Sequence, residues 1–536
     1  MSNTTKLLLS GDEAVALAAF HAGVALGAGY PGTPSTEILE EFARLGGKAQ
    51  WSPNEKVALE VAIGAAYGGA RALATMKHVG LNVAADPLFT VTYTGVTGAL
   101  IIVSADDPGM ASSQNEQDNR RYAVAAGCPM VEPSDSQDAY DLFFAAVEIS
   151  ERWNIPVLFR MTTRVCHSKT VVVPRSKLPA PPQANYVRDV RTRVMIPAYA
   201  KPAHLRLRQK LAEIQAWNET SPLNRVVEGD PNLGLITSGV SYAHCLEAAP
   251  GASVLKLSVT YPLPVRKMAE FAARVKRCVV VEEGDPYLAE AAAAHGIQAD
   301  SRPEMYRFGE LNVNRVRRIL AGDTSPEPQP RPGKAPMLCE GCSHRVVFDV
   351  LRKLDCIVTG DIGCYTLGVL PPFNAMDTCV CMGASLGVGL GLRHVLPADQ
   401  ARRVVSVIGD STFVHSGITG LVEMVYNPPP TGHVVIILDN STTAMTGHQE
   451  HPGTGRSLSH EPTNKLSFEA LARAMGVQRV HVVDPRPFSP EVEKVIRECL
   501  ESGELCLVVA RRPCILIARD LLQYEKCATA CETVEA

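Results

Sequence analysis

No run in the 536-residue sequence approaches the roughly 18 uncharged apolar residues that a membrane-spanning helix needs. Met1 to Ser10 lacks the basic start and long apolar stretch of an export signal. Both absences predict a cytoplasmic protein with no membrane partner. Positive charge is not in surplus: 52 Lys and Arg face 56 Asp and Glu, a formal net charge of -4. No stretch interleaves basic residues with aromatics as a nucleic-acid groove would need, so nucleic acid is not expected as a partner. Nor is there a repeat with a period of about 20 to 50 residues.

What is present is core material. Hydrophobic residues make up 46% and charged residues 20%, with 41 Gly and 38 Pro, a folded composition rich in turns. At about 150 residues per domain the length predicts three or four domains. Fifteen cysteines, an odd number without an export signal, argue against a disulfide framework. Four of them precede residue 330 and eleven lie between Cys339 and Cys531, which suggests a use for thiolates in the last third.

Two proline-rich stretches, Val173 to Gln183 and Ser325 to Pro336, divide the chain into three parts. The first part opens with a helical pattern at Asp12 to Ala22, followed by a strand end, Ala28-Gly29-Tyr30, that turns into a helix which Ser35 or Thr36 would cap. Buried strands are expected at Ala99 to Val103 and Pro156 to Phe159, separated by helices such as Ser136 to Arg152. The second part carries a basic amphipathic segment, Ala203 to Trp217, then strands at Leu233 to Ser238, Ser253 to Leu257 and Arg277 to Glu282. The third shows strands at Ile357 to Thr359, Val404 to Ile408, Val434 to Leu438, Val480 to Val483 and Glu504 to Ala510. Strands alternating with helices predict doubly wound α/β units built on parallel sheets.

The strand ending at Ile408 runs into Gly409-Asp410-Ser411, and about thirty positions later another ends at Asp439-Asn440-Ser441-Thr442. On adjacent parallel strands these termini would meet. Asp410 would offer a carboxylate, Asn440 an amide oxygen and Thr442 a carbonyl, the oxygen set a hard divalent cation takes. Gly409 would let backbone approach a diphosphate at the start of the following helix. The alternative is that Gly-Asp after a strand is only a turn. The paired spacing resembles the thiamine diphosphate signature, with Ser411 where glycine is common. Thiamine chemistry also needs a carboxylate at the aminopyrimidine, so that the ring can deprotonate C2 of the thiazolium. Glu55, heading an apolar small-residue helix, and Glu60 are the candidates; a helix N-terminal acid favoured by the dipole is the competing reading.

Tyr30-Pro31-Gly32-Thr33-Pro34-Ser35, Asn54 to Glu60, Met76-Lys77-His78-Val79-Gly80-Leu81-Asn82, Ser112 to Arg120, Gly409 to Phe413 and Thr443 to Gln449 are long, unusual strings. Together they resemble the alpha subunit of indolepyruvate:ferredoxin oxidoreductases, within the 2-oxoacid:ferredoxin oxidoreductase superfamily, over residues 5 to 515. The resemblance implies a pyrimidine-binding domain at 1–175, a linker with an amphipathic helix at 176–230, a transketolase C-terminal-like domain at 231–322, a Pro-rich linker at 323–337, a diphosphate-binding domain at 338–520 and a tail at 521–536. It places Glu55 at the activating carboxylate in preference to Glu60, Thr33 against the substrate carboxylate, and Lys77, His78 and Arg120 among polar residues facing the reaction centre. His78 as a core histidine and Arg120 as an ion-pair partner are the competing readings. Asp410, Asn440 and the Thr442 carbonyl match the Mg2+ ligands, while Gly363, Met382, Gly383, Gly409 and Ser411 match backbone fitted to the cofactor.

Cys339-Glu340-Gly341-Cys342, Cys364 and Cys514 would ligate one [4Fe-4S] cluster, with structural zinc or inert buried thiols as the alternatives. The two tight cysteine runs of a ferredoxin-like domain, which usual family members carry, are missing; only Cys527 and Cys531 follow Cys514. The expected activity is oxidative decarboxylation of an aryl 2-oxoacid to an acyl-coenzyme A. A smaller beta subunit is the expected partner, assembled as a dimer of heterodimers, with ferredoxin or a flavin- or NAD-linked subunit as separate electron acceptor. A non-oxidative decarboxylase or carboligase, and a catalytically idle scaffold, are the other readings.

Overall fold

A computed structural model describes residues 6–175, 183–328, 333 and 336–521. The tail with Cys527 and Cys531, and the centres of both proline-rich stretches, lie outside the described residues. The chain forms two compact units, Met1–Pro328 and Gln329–Ala536.

The first unit is built on a seven-stranded sheet. Its spatial order is Val259–Tyr261, Met130–Val131, Val157–Thr162, Leu100–Asp106, Ala72–Lys77, Leu26–Gly29 and Ala49–Trp51. All neighbours are parallel except the pair formed by Val259–Tyr261 with Met130–Val131. The central strands 72–77, 100–106 and 157–162 are buried at every position, which explains their continuous apolar character: helices cover both faces of a parallel sheet. Helix Gly11–His21 starts with a capping box between Ser10 and Glu13, and helix Ser136–Trp153 is capped by Asp135.

A four-stranded sheet follows in the order Arg277–Val281, Asp230–Ser238, Ala252–Leu257, Arg225–Val227, the last strand antiparallel. Its edge strand 225–227 thus falls inside the 176–230 stretch read from sequence as a linker, and 259–261, from the stretch read as the next domain, completes the first sheet. One apolar core runs through both sheets, joining Leu100, Ile102 and Leu158 to Ile236, Leu255 and Phe271. Helix Pro197–Asn218 lays Ala203, Leu207, Leu211 and Ile214 inward at 3.6-residue spacing. It ends with the Asn218 amide donating to the carbonyls of Val259 and Pro262.

The second unit holds a five-stranded, wholly parallel sheet in the order Ile357–Thr359, Val404–Gly409, His433–Asp439, Leu505–Arg511, Arg479–Val483. Strands 404–409 and 433–439 are adjacent and buried throughout, so their carboxyl ends open side by side where α/β sheets bind ligands. No helix among the described residues is long and apolar enough to cross a membrane.

Candidate cofactor half-sites

Each unit carries one set of the expected residues. In the first unit, strand Leu26–Gly29 delivers the Tyr30–Ser35 loop to helix Thr36–Arg44. Ser35 stands at the N-cap without a side-chain bond to the first turn. Its hydroxyl instead donates to the Gly32 carbonyl at 3.0 Å, and the Gly32 N–H donates to Thr36 Oγ1 at 3.0 Å. Thr33 sits half-buried in the loop so braced. Gly32 is required by proximity, since a Cβ there would lie 3.0 Å from that of Lys77.

Glu55 opens helix Glu55–Tyr67 under an Asn54 cap whose side chain accepts from Val57 N–H at 3.0 Å. The carboxylate is only 5% exposed. Helix His78–Val83 passes directly over it at Gly80, where a Cβ would come within 2.6 Å of both Glu55 Cγ and Oε1. A small-residue helix and a glycine thus let an acid sit where neighbouring backbone would otherwise exclude it.

His78 is fully buried. Its Nε2 lies 3.1 Å from Asn115 Oδ1, and its Nδ1 has no hydrogen-bond partner. Its carbonyl accepts from Gln117 Nε2 at 3.1 Å and Asn119 Nδ2 at 3.0 Å, so alternate residues of the 112–120 string clamp this turn. Lys77 is buried and donates to the Ser112 carbonyl; burial lowers its pKa, opposed by Asp107.

Arg120 is ion-paired in this structure. Its guanidinium, wholly buried, is held by Asp118 (Nε to Oδ1, 2.9 Å) and Glu282 (Nη1 to Oε2, 2.8 Å). It also donates to the carbonyls of Glu283 at 2.7 Å and Asp285 at 2.9 Å, and stacks over Tyr287. Every arm of the fork is engaged, so Arg120 clasps the turn after strand 277–281 and presents no free cation to a substrate. Arg160, beside it, pairs with Asp106 at 2.7 Å and with Glu132. Five buried carboxylates, Asp106, Asp118, Glu132, Glu282 and Glu283, surround Arg120, Arg160 and Arg302; burial pushes Glu283 up to about 7.

In the second unit Asp410 ends strand 404–409 and starts a helical stretch that runs to Tyr426 through a π turn at Phe413–Gly417. Its buried carboxylate accepts from Ser411 N–H at 2.8 Å and from Ser441 N–H at 2.9 Å, with His451 Nε2 at 3.2 Å. Burial would raise its pKa, but the His451 imidazole, the Ser411 N–H and the Asp439 side chain together hold it below the ordinary value. Asn440 and Thr442 are buried beside it, Asn440 Oδ1 accepting from Thr442 N–H at 3.2 Å.

The glycines around Asp410 allow close packing. At Gly409 a Cβ would meet Tyr365 at 2.7 Å, at Gly363 the same ring at 2.4 Å, and at Gly383 (φ +86°) Ser416 at 2.4 Å. Ser411 is buried, its Oγ accepting from Thr443 Oγ1 at 3.0 Å, and Met382 is half-buried on the Gly383 loop.

Cys339, Cys342, Cys364 and Cys514 line one cavity of about 110 Å³, together with His344, Asn440 and His448. Cys514 is tethered there by its N–H, which donates to the Asn440 carbonyl at 2.9 Å. Burial and the neighbouring thiols push Cys364 up to about 11. Cys379 and Cys381 are exposed.

An indolepyruvate oxidoreductase subunit IorA of Archaeoglobus fulgidus is 40% identical over 96% of this chain and 87% of its own length. The chain belongs to the indolepyruvate oxidoreductase alpha-subunit family. A Pyrococcus horikoshii IorA is 37% identical over 97% of the chain and 87% of its own length. Residues 17–211 match the thiamine diphosphate-binding domain of pyruvate flavodoxin/ferredoxin oxidoreductases, and 361–510 the C-terminal thiamine pyrophosphate-binding domain of thiamine enzymes. A 2-oxoglutarate:ferredoxin oxidoreductase from Magnetococcus marinus shares the fold at 17% identity, with a TM-score of 0.52 over 60% of this chain and 66% of that one. This IorA-family chain therefore has the two cofactor-binding domains of a thiamine diphosphate-dependent 2-oxoacid oxidoreductase.

Three residues of the second half-site escape a sequence reading. Asp361 ends strand 357–359 and accepts from the N–H groups of Gly383 at 2.8 Å and Ser385 at 3.0 Å, fixing the Gly383 loop. Its strand-end position, the same as that of Asp410, is the signal that would have found it. His451 comes from an irregular segment with no periodic signal, and His344 stands in the first turn of helix Ser343–Lys353, among its buried residues. His344 is buried near Asp410, and burial lowers its pKa to about 4.

Proposed function

We propose that the chain is the thiamine-bearing subunit of an oxidoreductase that converts an aryl 2-oxoacid of the indolepyruvate or phenylpyruvate class, with coenzyme A, to aryl-acyl-coenzyme A, CO2, a proton and two electrons. The gathering of four cysteines onto one cavity that also touches Asn440 carries this reading. A non-oxidative decarboxylase has no use for an electron site beside its diphosphate loop. Cys339, Cys342, Cys364 and Cys514 would hold one [4Fe-4S] cluster there.

The residues fit thiamine diphosphate and Mg2+. Asp410, Asn440 and the Thr442 carbonyl supply the hard oxygens, and Gly363, Gly383 and Gly409 let the backbone of these loops pack against Tyr365 and Ser416, where a Cβ would clash. Thiamine diphosphate, when bound, would supply the nucleophilic and electron-accepting chemistry that decarboxylation of a 2-oxoacid needs. Glu55 holds a proton at the aminopyrimidine nitrogen from a site too buried for water to compete. Thr33 donates its hydroxyl to the substrate carboxylate. His78, with Nδ1 unpartnered, moves a proton or orients the oxoacid. A smaller beta subunit completes a dimer of heterodimers, and a separate protein accepts the electrons.

The test is anaerobic co-expression with the beta subunit, followed by electron paramagnetic resonance of the reduced complex and dye-coupled rates over aryl and aliphatic 2-oxoacids. A cluster signal lost in Cys364→Ser, and highest kcat/KM on aryl acids, is the expected result. A complex that decarboxylates without reducing the dye and holds no iron refutes the oxidative reading.

A further inference from the structure

Away from both half-sites, the structure brings three metal-type donors together in the first unit. Asp12, in the first turn of helix Gly11–His21, Glu37, in the first turn of helix Thr36–Arg44, and His167, at the end of helix Thr163–His167, place one ligand atom each within 4.8 Å of the others. Such a cluster means little while its members are solvated, as Glu37 and His167 are. Asp12 is not: it is 1% exposed, and neither carboxylate oxygen has a hydrogen-bond partner. An unpartnered buried carboxylate is among the costliest groups a fold can carry.

Among the described residues no lysine or arginine pairs with it. Lys169 in the same corner pairs with Glu13 at 3.1 Å, and Glu13 and Glu37 both add negative charge toward Asp12. The buried Cys166 thiol lies beside it as a weak donor. Burial and those two glutamates raise the Asp12 pKa well above its ordinary value. The backbone is pressed together here as well, since a Cβ on Gly11 would fall 2.2 Å from the Val165 carbonyl oxygen.

We propose that Asp12, Glu37 and His167 bind a divalent transition ion of the zinc type, at a site separate from the Mg2+ ligands of the second unit. Two carboxylate oxygens and one imidazole nitrogen form a three-ligand set that leaves a fourth position for water. The ion supplies the charge Asp12 lacks. It also ties the first turn of helix Thr36–Arg44, three residues beyond Thr33, to two other helices, so that occupancy stiffens the Thr33 loop. The proposal is independent of the thiamine reading.

Zinc itself is the probe. Full-length protein, Asp12→Asn and His167→Ala are dialysed against Zn2+ with thiamine diphosphate and Mg2+ saturating, and bound zinc is counted by mass spectrometry. Zinc taken by the cysteines is common to all three and cancels in the difference. Wild type is expected to retain one equivalent more than either variant, and zinc to raise the melting temperature of wild type by more than that of His167→Ala. Should Asp12→Asn fail to fold, His167→Ala, with its exposed side chain, decides alone. Equal zinc counts in wild type and His167→Ala overturn the proposal.

Discussion

Arg120→Met keeps the side-chain volume and removes the charge, which leaves Asp118 and Glu282 buried without their partner. Both carboxylates are at most 2% exposed, so solvent cannot take over from the guanidinium, and removing one member of a buried pair costs about 3–5 kcal/mol. The readout is built in: the three tryptophans, Trp51, Trp153 and Trp217, all lie in the first unit. Tryptophan fluorescence in urea therefore follows that unit alone. At a slope of about 3 kcal/mol per molar urea the midpoint should fall by about 1 to 1.7 M. Arg277→Met is the control. It breaks an exposed pair with Asp300, worth about 1 kcal/mol or less. If Arg120→Met shifts the midpoint no more than this control while turnover collapses, Arg120 acts on substrate as its place in the sequence motif suggests, and the clasp reasoning is wrong.

Gly80→Ala drives a methyl into Glu55 and should reduce turnover and cofactor affinity, as measured by cofactor titration, while Gly64→Ala on the neighbouring helix, where a Cβ meets nothing within 4 Å, should not. Glu55→Gln should lower kcat by about 10²–10⁴-fold with the fold intact by circular dichroism; unchanged turnover would remove Glu55 from the mechanism. Asp410→Ala should abolish Mg2+-dependent retention of thiamine diphosphate in a dialysis assay. Glu283, pushed up to about 7 by burial, stays protonated in the folded state between its unfolded pKa and about pH 7, where the unfolded chain has already released its proton. Stability should therefore fall as pH rises through that window, by about 3 kcal/mol from this group. Glu283→Gln should flatten that part of the pH profile of the urea midpoint.

The parallel sheets are readable because burial on both faces writes itself as unbroken apolar runs: Val404 to Ile408 and Val434 to Leu438 are placed within a residue of the observed strands. The same runs, thirty residues apart, bring Asp410 and Asn440 together without any knowledge of three-dimensional structure. Strands of two and three residues, Met130–Val131 and Val259–Tyr261, are too short to carry a period, and their pairing is a tertiary fact. The ion pairs of Arg120 are hidden from the sequence for a related reason. Nothing local distinguishes a guanidinium aimed at a substrate from one aimed at Glu282, more than a hundred residues away. His451 reaches Asp410 from an irregular segment whose course only the packed fold determines, and His344 from the first turn of helix Ser343–Lys353, whose periodicity marks it as buried but not as a neighbour of Asp410.

The strand Val259–Tyr261 has a bearing on how the chain is made. Met130–Val131 is synthesised long before the segment that covers its open edge, and until residue 261 leaves the ribosome that edge presents unpaired amides to any passing strand. Folding of the first unit is thus held to a late long-range pairing, which slows it and prolongs exposure to aggregation. A fragment cut at the proline-rich stretch near residue 175 would keep its cofactor residues and lose its edge cover. Expression of the half-site in isolation should begin from a fragment that runs through the second sheet, to Pro328.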